Sequence, residues 1–340
     1  MARPGQGRGT KWSLRRPVYG LRQAPREWHN TLRTTLAALG FAPSTADLSL
    51  FLRTDTSLPP FYVLLYVEDL VFATANTKAL TLVKSELQKR HTCTDLGELR
   101  SYLGLQITRD RARCTITLTQ SYMVHQVLQR FGFQFSSPQP TPLSTSHSLS
   151  APPSNESVEP SGPYPELVGC LVYLMTCTRP DLAYPLSLLA RYVASGRHRK
   201  VHWDAAKRVL RYLCSTSGMG LVLGGGGPVV LTGHANASWV DDSATQRSSQ
   251  GYTFSLVLYV DNKAMIALCQ EHRLEHKTKH IALRYFFARE LQQRGQLRLA
   301  HVATRANTAD VFTKALPTGD HQRFATVLGL VPTLPHLLTA

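Results

Sequence analysis

Residues 61–75 read FYVLLYVEDLVFATA: a β-branched and aromatic run, two adjacent carboxylates at Glu68 and Asp69, then a second apolar run. Apolar runs on both sides of a short polar break predict two strands joined across the acids, with both carboxylates at the tip of a hairpin rising out of a core. Like charges side by side repel, so their placement at one tip calls for a cause. One candidate is divalent metal. Hard oxygen ligands bind Mg²⁺, and a pair of such ions clamps the attacking and leaving oxygens of a phosphoryl transfer. The other is ordinary solvation of an exposed turn.

Working outward, apolar spacing predicts helices over 27–39 and 79–90, packed on the sheet that holds the hairpin, then short strands over 102–119 and a helix over 122–131. Residues 136–165 carry eight Pro and nine Ser with no Lys or Arg. That composition predicts a linker or long loop that builds no core. Helices are predicted beyond it over 165–178, 180–193 and 202–214. Residues 220–260 alternate apolar and polar around Gly224–Gly227, as strands and a flexible turn do, and helical patterns follow over 262–270 and 280–294. At about 150 residues per domain, 340 residues make roughly two domains, each long enough to bury a core.

Charge narrows the function. Lys and Arg number 38 against 22 Asp and Glu, a net charge of +16, which favours a polyanionic partner and above all nucleic acid. The bases cluster, eight against two acids over 179–211 and again over 273–305; each run taken alone also fits a solvated helix face. No apolar run approaches the length of a membrane helix, and the Arg-rich first thirty residues lack the apolar stretch of a secretory signal. The expectation is an intracellular protein of cytoplasm or nucleus, with no membrane partner. The six cysteines include no CxxC pair and the histidines no HExxH, which suits reduced thiols and no zinc.

Upstream of the hairpin lies VYGLRQAPREWHNTL, 18–32. Together with YVED it resembles the reverse transcriptase of copia-type retrotransposons, whose pattern is roughly LYGLKQAPRAW followed some way on by YVDD. The likeness continues through DLGELRSYLGLQI (95–107), GCLVYLMTCTRPDLAYPLSLLARYV and HWDAAKRVLRYL (169–213), and then VDNKAMIALC, HKTKHIALRYFFARE and ANTADVFTKAL, in family order. It implies an α+β chain: partial reverse transcriptase palm and thumb (11–135) after a low-complexity leader (1–10), the linker (136–165), a helical connection (166–219), a truncated RNase H-like domain (220–317) and a C-terminal tail (318–340).

It also implies roles for residues. Gln23 would lie beside the incoming nucleotide, with Arg22 and Arg26 along the template path. Glu68 and Asp69 fall on the metal-binding aspartates of YVDD, and Leu103 and Gly104 in the primer grip. Asp261 and Asp310 fall on the third and fourth RNase H acids, with His280 in the matching HKTKHI segment. Partners would be RNA, DNA or an RNA–DNA hybrid, and the cofactor Mg²⁺.

The departures from the family pattern point to impairment. Glu68 adds a methylene where the family has Asp, a shift of about one bond length where productive geometry holds to about 0.5 Å. The family takes a further metal-binding aspartate from a strand upstream of LYGLKQAP, whereas residues 1–10 carry no acid and read as a leader, so the fingers and first palm strand are expected to be absent. In GHANASWVDD, Asn236 and Ser238 stand where the family has Asp. The family's Glu-bearing helix between GYxF and VDN is missing, because Phe254 runs almost directly into Val257; that join is expected to leave the remaining strands loosely paired. Asp310 in NTADVF could equally cap a following helix. Three functions stay open: a degenerate reverse transcriptase/RNase H fragment of two-Mg²⁺ ancestry, a non-enzymatic nucleic-acid-binding remnant or co-opted protein, and an interaction protein whose charge is incidental.

Overall fold

The computed structural model describes residues 24–146, 149, 162–193, 198–225, 232–238, 249–253, 257–260 and 298–333. The chain divides into two compact units, 1–99 and 100–340. The boundary falls ahead of the Pro/Ser-rich segment and inside the DLGELRSYLGLQI motif.

In the first unit, helix α1 (Ala24–Ala38) opens with Pro25, tolerated in a first turn because that N–H has no helical partner. Strands β1 (Phe41–Pro43), β2 (Leu50–Arg53), β3 (Phe61–Tyr66) and β4 (Asp69–Thr74) form an antiparallel sheet in sequential order. Burial along β3 has the strand period: Phe61, Val63 and Leu65 are buried, while Tyr62 and Tyr66 face solvent. Helix α2 (Thr77–Arg90) is capped by Asn76, whose side chain accepts the Ala79 N–H at 3.0 Å, and ends on Lys89 and Arg90, which complement its dipole. Leu32 and Leu36 of α1 and Val83 and Leu87 of α2 close the core over Phe41, Phe51, Phe61, Val63 and Leu65. The hairpin on which the acids stand is therefore anchored by helices on its sheet, as its apolar runs predict.

The second unit begins with β5 (Ser101–Tyr102), β6 (Leu105–Asp110), β7 (Thr115–Thr119) and α3 (Ser121–Arg130). Its helical core follows in α4 (Tyr164–Cys177), a 3₁₀ turn at Pro180–Leu182, α5 (Ala183–Ala190) and α6 (Lys200–Ser215). Strand β8 (Met219–Gly224) then turns back to pair with β7. Strands β9 (Thr232–Ala237), β10 (Gln250–Thr253), β11 (Val257–Val260) and β12 (Arg298–His301) make a separate sheet in the order β10-β9-β11-β12, in which β9, β11 and β12 run parallel. A 3₁₀ segment at Thr308–Phe312, α7 (Thr318–Val327) and β13 (Leu330–Pro332) complete the unit.

Three expectations change here. Met219–Gly224 does not open the domain that holds β9 to β12: it is the second strand of a five-stranded antiparallel sheet ordered β13-β8-β7-β6-β5. Residues 318–332 are no loose tail, because β13 pairs with β8 and Phe324 and Leu330 are buried. Finally, the Pro/Ser-rich segment does reach a core. Leu143 and Leu149 are buried against the helices, Arg208 donates to Thr141 Oγ1 at 3.0 Å, and Tyr192 donates its hydroxyl to the Leu149 carbonyl at 2.7 Å. Composition undervalues two leucines that happen to be well placed. The helical patterns over 262–270 and 280–294 lie outside the described residues.

The helical core encloses a charge pair. Arg179 forks onto Asp181 (Nε to Oδ1 3.0 Å, Nη2 to Oδ2 2.8 Å), and both are almost completely buried. The guanidinium also donates to the carbonyl (3.0 Å) and hydroxyl (2.8 Å) of Thr216, which caps α6. Tyr212 of α6 donates to Asp181 Oδ2 at 2.7 Å. With that proton committed, the Tyr212 oxygen accepts from His321 Nε2 of α7 at 3.2 Å. Burial alone would raise the Asp181 pKa, but Arg179 and the Tyr212 hydroxyl outweigh it and hold the carboxyl below its ordinary value. Burial likewise lowers the His321 pKa and keeps the ring neutral. Removing one partner strands a buried charge, whereas removing both with apolar replacements is close to neutral. Asp181→Ala should therefore cost about 3–5 kcal/mol in urea unfolding, while Arg179→Met combined with Asp181→Leu recovers most of that loss.

Candidate functional site

The acid pair sits where its flanking runs predict. Tyr66 pairs with Asp69, so a two-residue turn of Val67 and Glu68 closes the hairpin, and both carboxylates are exposed. Val67 lies at φ +52°, in the left-handed region that two-residue hairpin turns demand and that Asn or Gly usually fills. A β-branched residue there carries strain of about 1–2 kcal/mol, held by the ladder on either side. The local backbone thus fixes where Glu68 and Asp69 point from, one in the turn and one at the first residue of β4.

All eight acids of residues 1–99 lie within the described part of that unit. Among the described residues, no three His, Cys, Asp or Glu side chains come together in a way that could hold a metal ion. The tip alone offers two carboxylates, short of a cage for a pair of divalent ions. Arg26 is exposed in the first turn of α1. Arg22, Gln23, Asp261 and His280 lie outside the described residues.

Leu103 and Gly104 form the turn between β5 and β6, both with positive φ (+48° and +74°). Tyr173 of α4 donates its hydroxyl to the Leu103 carbonyl, and a Cβ on Gly104 would sit 3.4 Å from that hydroxyl. The turn is thus seated on the helical core of the second unit, while the acid pair belongs to the first.

Asp310 is buried in the Thr308–Phe312 segment and is already fully engaged. Its Oδ1 accepts from Asn236 Nδ2 of β9 at 2.6 Å, and its Oδ2 lies 2.7 Å from Lys314 Nζ. The Asn236 amide also donates to Thr313 Oγ1 at 2.8 Å. Asp310 is not the cap of its segment: Asn307 is, accepting the Ala309 N–H at 3.2 Å while donating to the Ala235 carbonyl at 3.0 Å. Ser238 turns to the Ser249 backbone instead and extends the β9–β10 ladder. Gly251 on β10 lets this segment approach, since a Cβ there would lie 2.4 Å from Phe312 Cβ. An amide and an ammonium thus occupy the Asp310 oxygens, and the cluster does not fit a divalent ion.

Sequence reading brings Asn236 and Asp310 into view as family positions but misses Lys314, which supplies the cation. It also misses the Arg179–Asp181 pair, whose signal is present: two opposite charges two residues apart inside a long apolar stretch must be buried together. The consequence for the basic cluster over 179–211 is direct. Arg179 belongs to the core, and Lys200 and Lys207 both clasp Asp204 at 2.6 Å.

With this architecture in place, comparison with known proteins is specific. Residues 5–145 match the family described as Reverse transcriptase (RNA-dependent DNA polymerase). The chain is 27% identical to the Retrovirus-related Pol polyprotein from transposon TNT 1-94 of Nicotiana tabacum, over 93% of this chain and 28% of that protein. It is 30% identical to the corresponding polyprotein from transposon RE2 of Arabidopsis thaliana, over 95% of this chain and 25% of that protein. A putative transposon Ty5-1 protein of Saccharomyces cerevisiae is 35% identical over 71% of this chain and 77% of its own length. The chain belongs to the reverse transcriptase family of copia-type retrotransposon Pol polyproteins. It spans about a quarter of the length of the two plant polyproteins. No solved structure matches it. No helix among the described residues is long and apolar enough to cross a membrane.

The Asp310 cluster makes a prediction. Asn236→Asp would replace a donor by a second anion 2.6 Å from Asp310. In metal-free buffer the melting curve should show a loss of roughly 2–4 kcal/mol, of which added Mn²⁺ recovers part in the variant and none in the wild type. Unchanged stability would mean that the amide is not the partner Asp310 depends on.

Proposed function

We propose that this chain is a nucleic-acid-binding portion of a copia-type Pol protein whose parent reaction is RNA-directed DNA synthesis, and that the chain itself does not carry that reaction out. Family membership supports the parent reaction, and the excess of cations supports binding to RNA, DNA or their hybrid. The observation that carries the loss of chemistry is the hairpin tip: Glu68 and Asp69 stand exposed on one turn with no third ligand beside them among the described residues. Phosphoryl transfer depends on positioning and on charge held close to the reacting phosphate. Two carboxylates on one tip, one of them lengthened by a methylene, supply neither with the required rigidity. The second acidic locus, at Asp310, is hydrogen-bonded by Asn236 and neutralised by Lys314, so the RNase H-like part is proposed to be equally silent.

Primer extension on an RNA template, with Mg²⁺ or Mn²⁺, is the test. No extension is expected from the full chain, and Glu68→Asp alone should not restore it. Extension that disappears on Asp69→Ala would show a working polymerase and overturn the proposal.

A further inference from the structure

Each of the three sheets ends in edge strands, and among the described residues those edges are guarded unequally. Strand β1 has three residues and ends on Pro43, β13 has three and ends on Pro332, and β5 has two. Strands β10 and β12 have four each. Strand β4, six residues reading DLVFAT, is the longest of them and holds no Pro, Lys or Arg. Short length, proline and lysine are the usual means by which an edge is kept from pairing with another chain.

The register shows which groups of β4 face outward. Opposite Leu70 on β3 stands Leu65, whose N–H donates to the Ser49 carbonyl at 2.9 Å, on the side away from β4. Leu65 and Leu70 are therefore a non-hydrogen-bonded pair, and Leu70 turns its own N–H and C=O away from β3. The period of two makes Phe72 do the same. No backbone group among the described residues meets these outward donors and acceptors. The side chains of Leu70 and Phe72 pack against the core of the unit, which puts Val71 on the opposite face of the sheet. The strand's one charge is Asp69, at its first residue.

We infer that β4 is the docking edge for a second copy of this chain, the two β4 strands pairing antiparallel about a two-fold axis through Val71. In that register Leu70 lies opposite the partner's Phe72, and Phe72 opposite the partner's Leu70, so the outward N–H and C=O groups of both strands satisfy one another. Val71 meets the partner's Val71 on the axis. Asp69 lies opposite the partner's Ala73 and about 14 Å from the partner's Asp69, so no like charges stand face to face. Aromatic, aliphatic and β-branched residues set opposite one another are the pairs that stabilise such a ladder. The strand is thus its own complement, in hydrogen bonds, side chains and charge. A nucleic acid offers no row of amides to this edge, and the carboxylates of Glu68 and Asp69 at its end repel phosphate. The closure is isologous: each copy spends its one β4 edge, the two sheets become continuous, and growth stops at the dimer. The inference stands apart from the nucleic-acid binding proposed above.

The experiment follows the mass of the nuclease-treated full chain by sedimentation velocity across about 1 to 100 µM, at about 0.5 M salt so that no polyanion bridges copies. The weight-average mass should rise from 37.8 kDa toward twice that value. Val71→Lys sets two ammonium groups face to face on the axis and leaves the helix-covered core untouched. It should melt like the wild type at about 1 µM and remain monomeric over the whole range. Disulfide cross-linking with diamide serves where that lysine unfolds the strand. It uses a background in which the exposed Cys93 and Cys114 are replaced by Ser. Val71→Cys should there give a covalent dimer, because Cα atoms facing each other in a non-hydrogen-bonded pair lie about 4.5 Å apart, within disulfide reach. Ala73→Cys, about 14 Å from its own copy, should give none. A wild type that keeps the monomer mass at about 100 µM would overturn the inference. So would a dimer that survives Val71→Lys with the fold intact, cross-linking of Ala73→Cys equal to that of Val71→Cys, or growth past the dimer into open-ended assemblies.

Discussion

The buried bidentate pair of Arg179 and Asp181 is the constraint on which the second unit depends. A charge pair in an apolar interior is tolerated only when its remaining donors and acceptors are satisfied, and here they are satisfied by parts far apart in sequence. Thr216 at the end of α6, Tyr212 within α6 and, through Tyr212, His321 on α7 all converge on one side-chain fork. Beside it, Thr178 donates to the buried Gln120 at 2.8 Å and ties in the junction of β7 and α3. The five-stranded sheet is then set by consequence. Strand β8 follows α6 and β13 follows α7, and the two strands pair. Apolar packing around Leu167, Leu171, Leu186 and Leu210 supplies most of the stability. The polar fork fixes which helices may meet.

The two acidic loci show opposite outcomes of one electrostatic problem. At the β3–β4 tip the carboxylates remain in water, where charge costs little to keep and binds little. At Asp310 the carboxylate is buried and must be neutralised, which Lys314 accomplishes while Asn236 donates a hydrogen bond. Affinity for a polyanion and catalysis upon it have different requirements: the first needs exposed cations, the second needs carboxylates converging from several elements.

Much of this was legible in the sequence where local rules suffice. The apolar runs around Glu68 and Asp69 dictate a hairpin, the periodicity of residues 27–39 and 79–90 dictates its flanking helices, and the motif order marks the family. What escaped depends on contacts distant in sequence. Alternation in Met219–Gly224 identifies a strand but not that it pairs with β7 rather than β9. The Pro/Ser-rich composition hides Leu143 and Leu149, which reach the helical core beside the hydrogen bonds from Arg208 to Thr141 and from Tyr192 to the Leu149 carbonyl. Lys314 four residues after Asp310 is an ordinary helical spacing, and only burial of the acid makes it a neutralising partner. Counting Arg179 as surface charge failed for the reverse reason, since a basic cluster in sequence need not be one in space.

The proposed function holds that this chain binds a polyanion and that its carboxylates do not assemble a divalent-metal site. Electron paramagnetic resonance of Mn²⁺ titrated into the full chain addresses it most directly, because the free ion gives a six-line signal that is lost on tight coordination. The account predicts that at submillimolar metal the signal tracks added Mn²⁺ undiminished, and that Asp69→Ala and Asp310→Asn leave it unchanged. Stoichiometric loss of the signal in the wild type, reversed by either substitution, would contradict it.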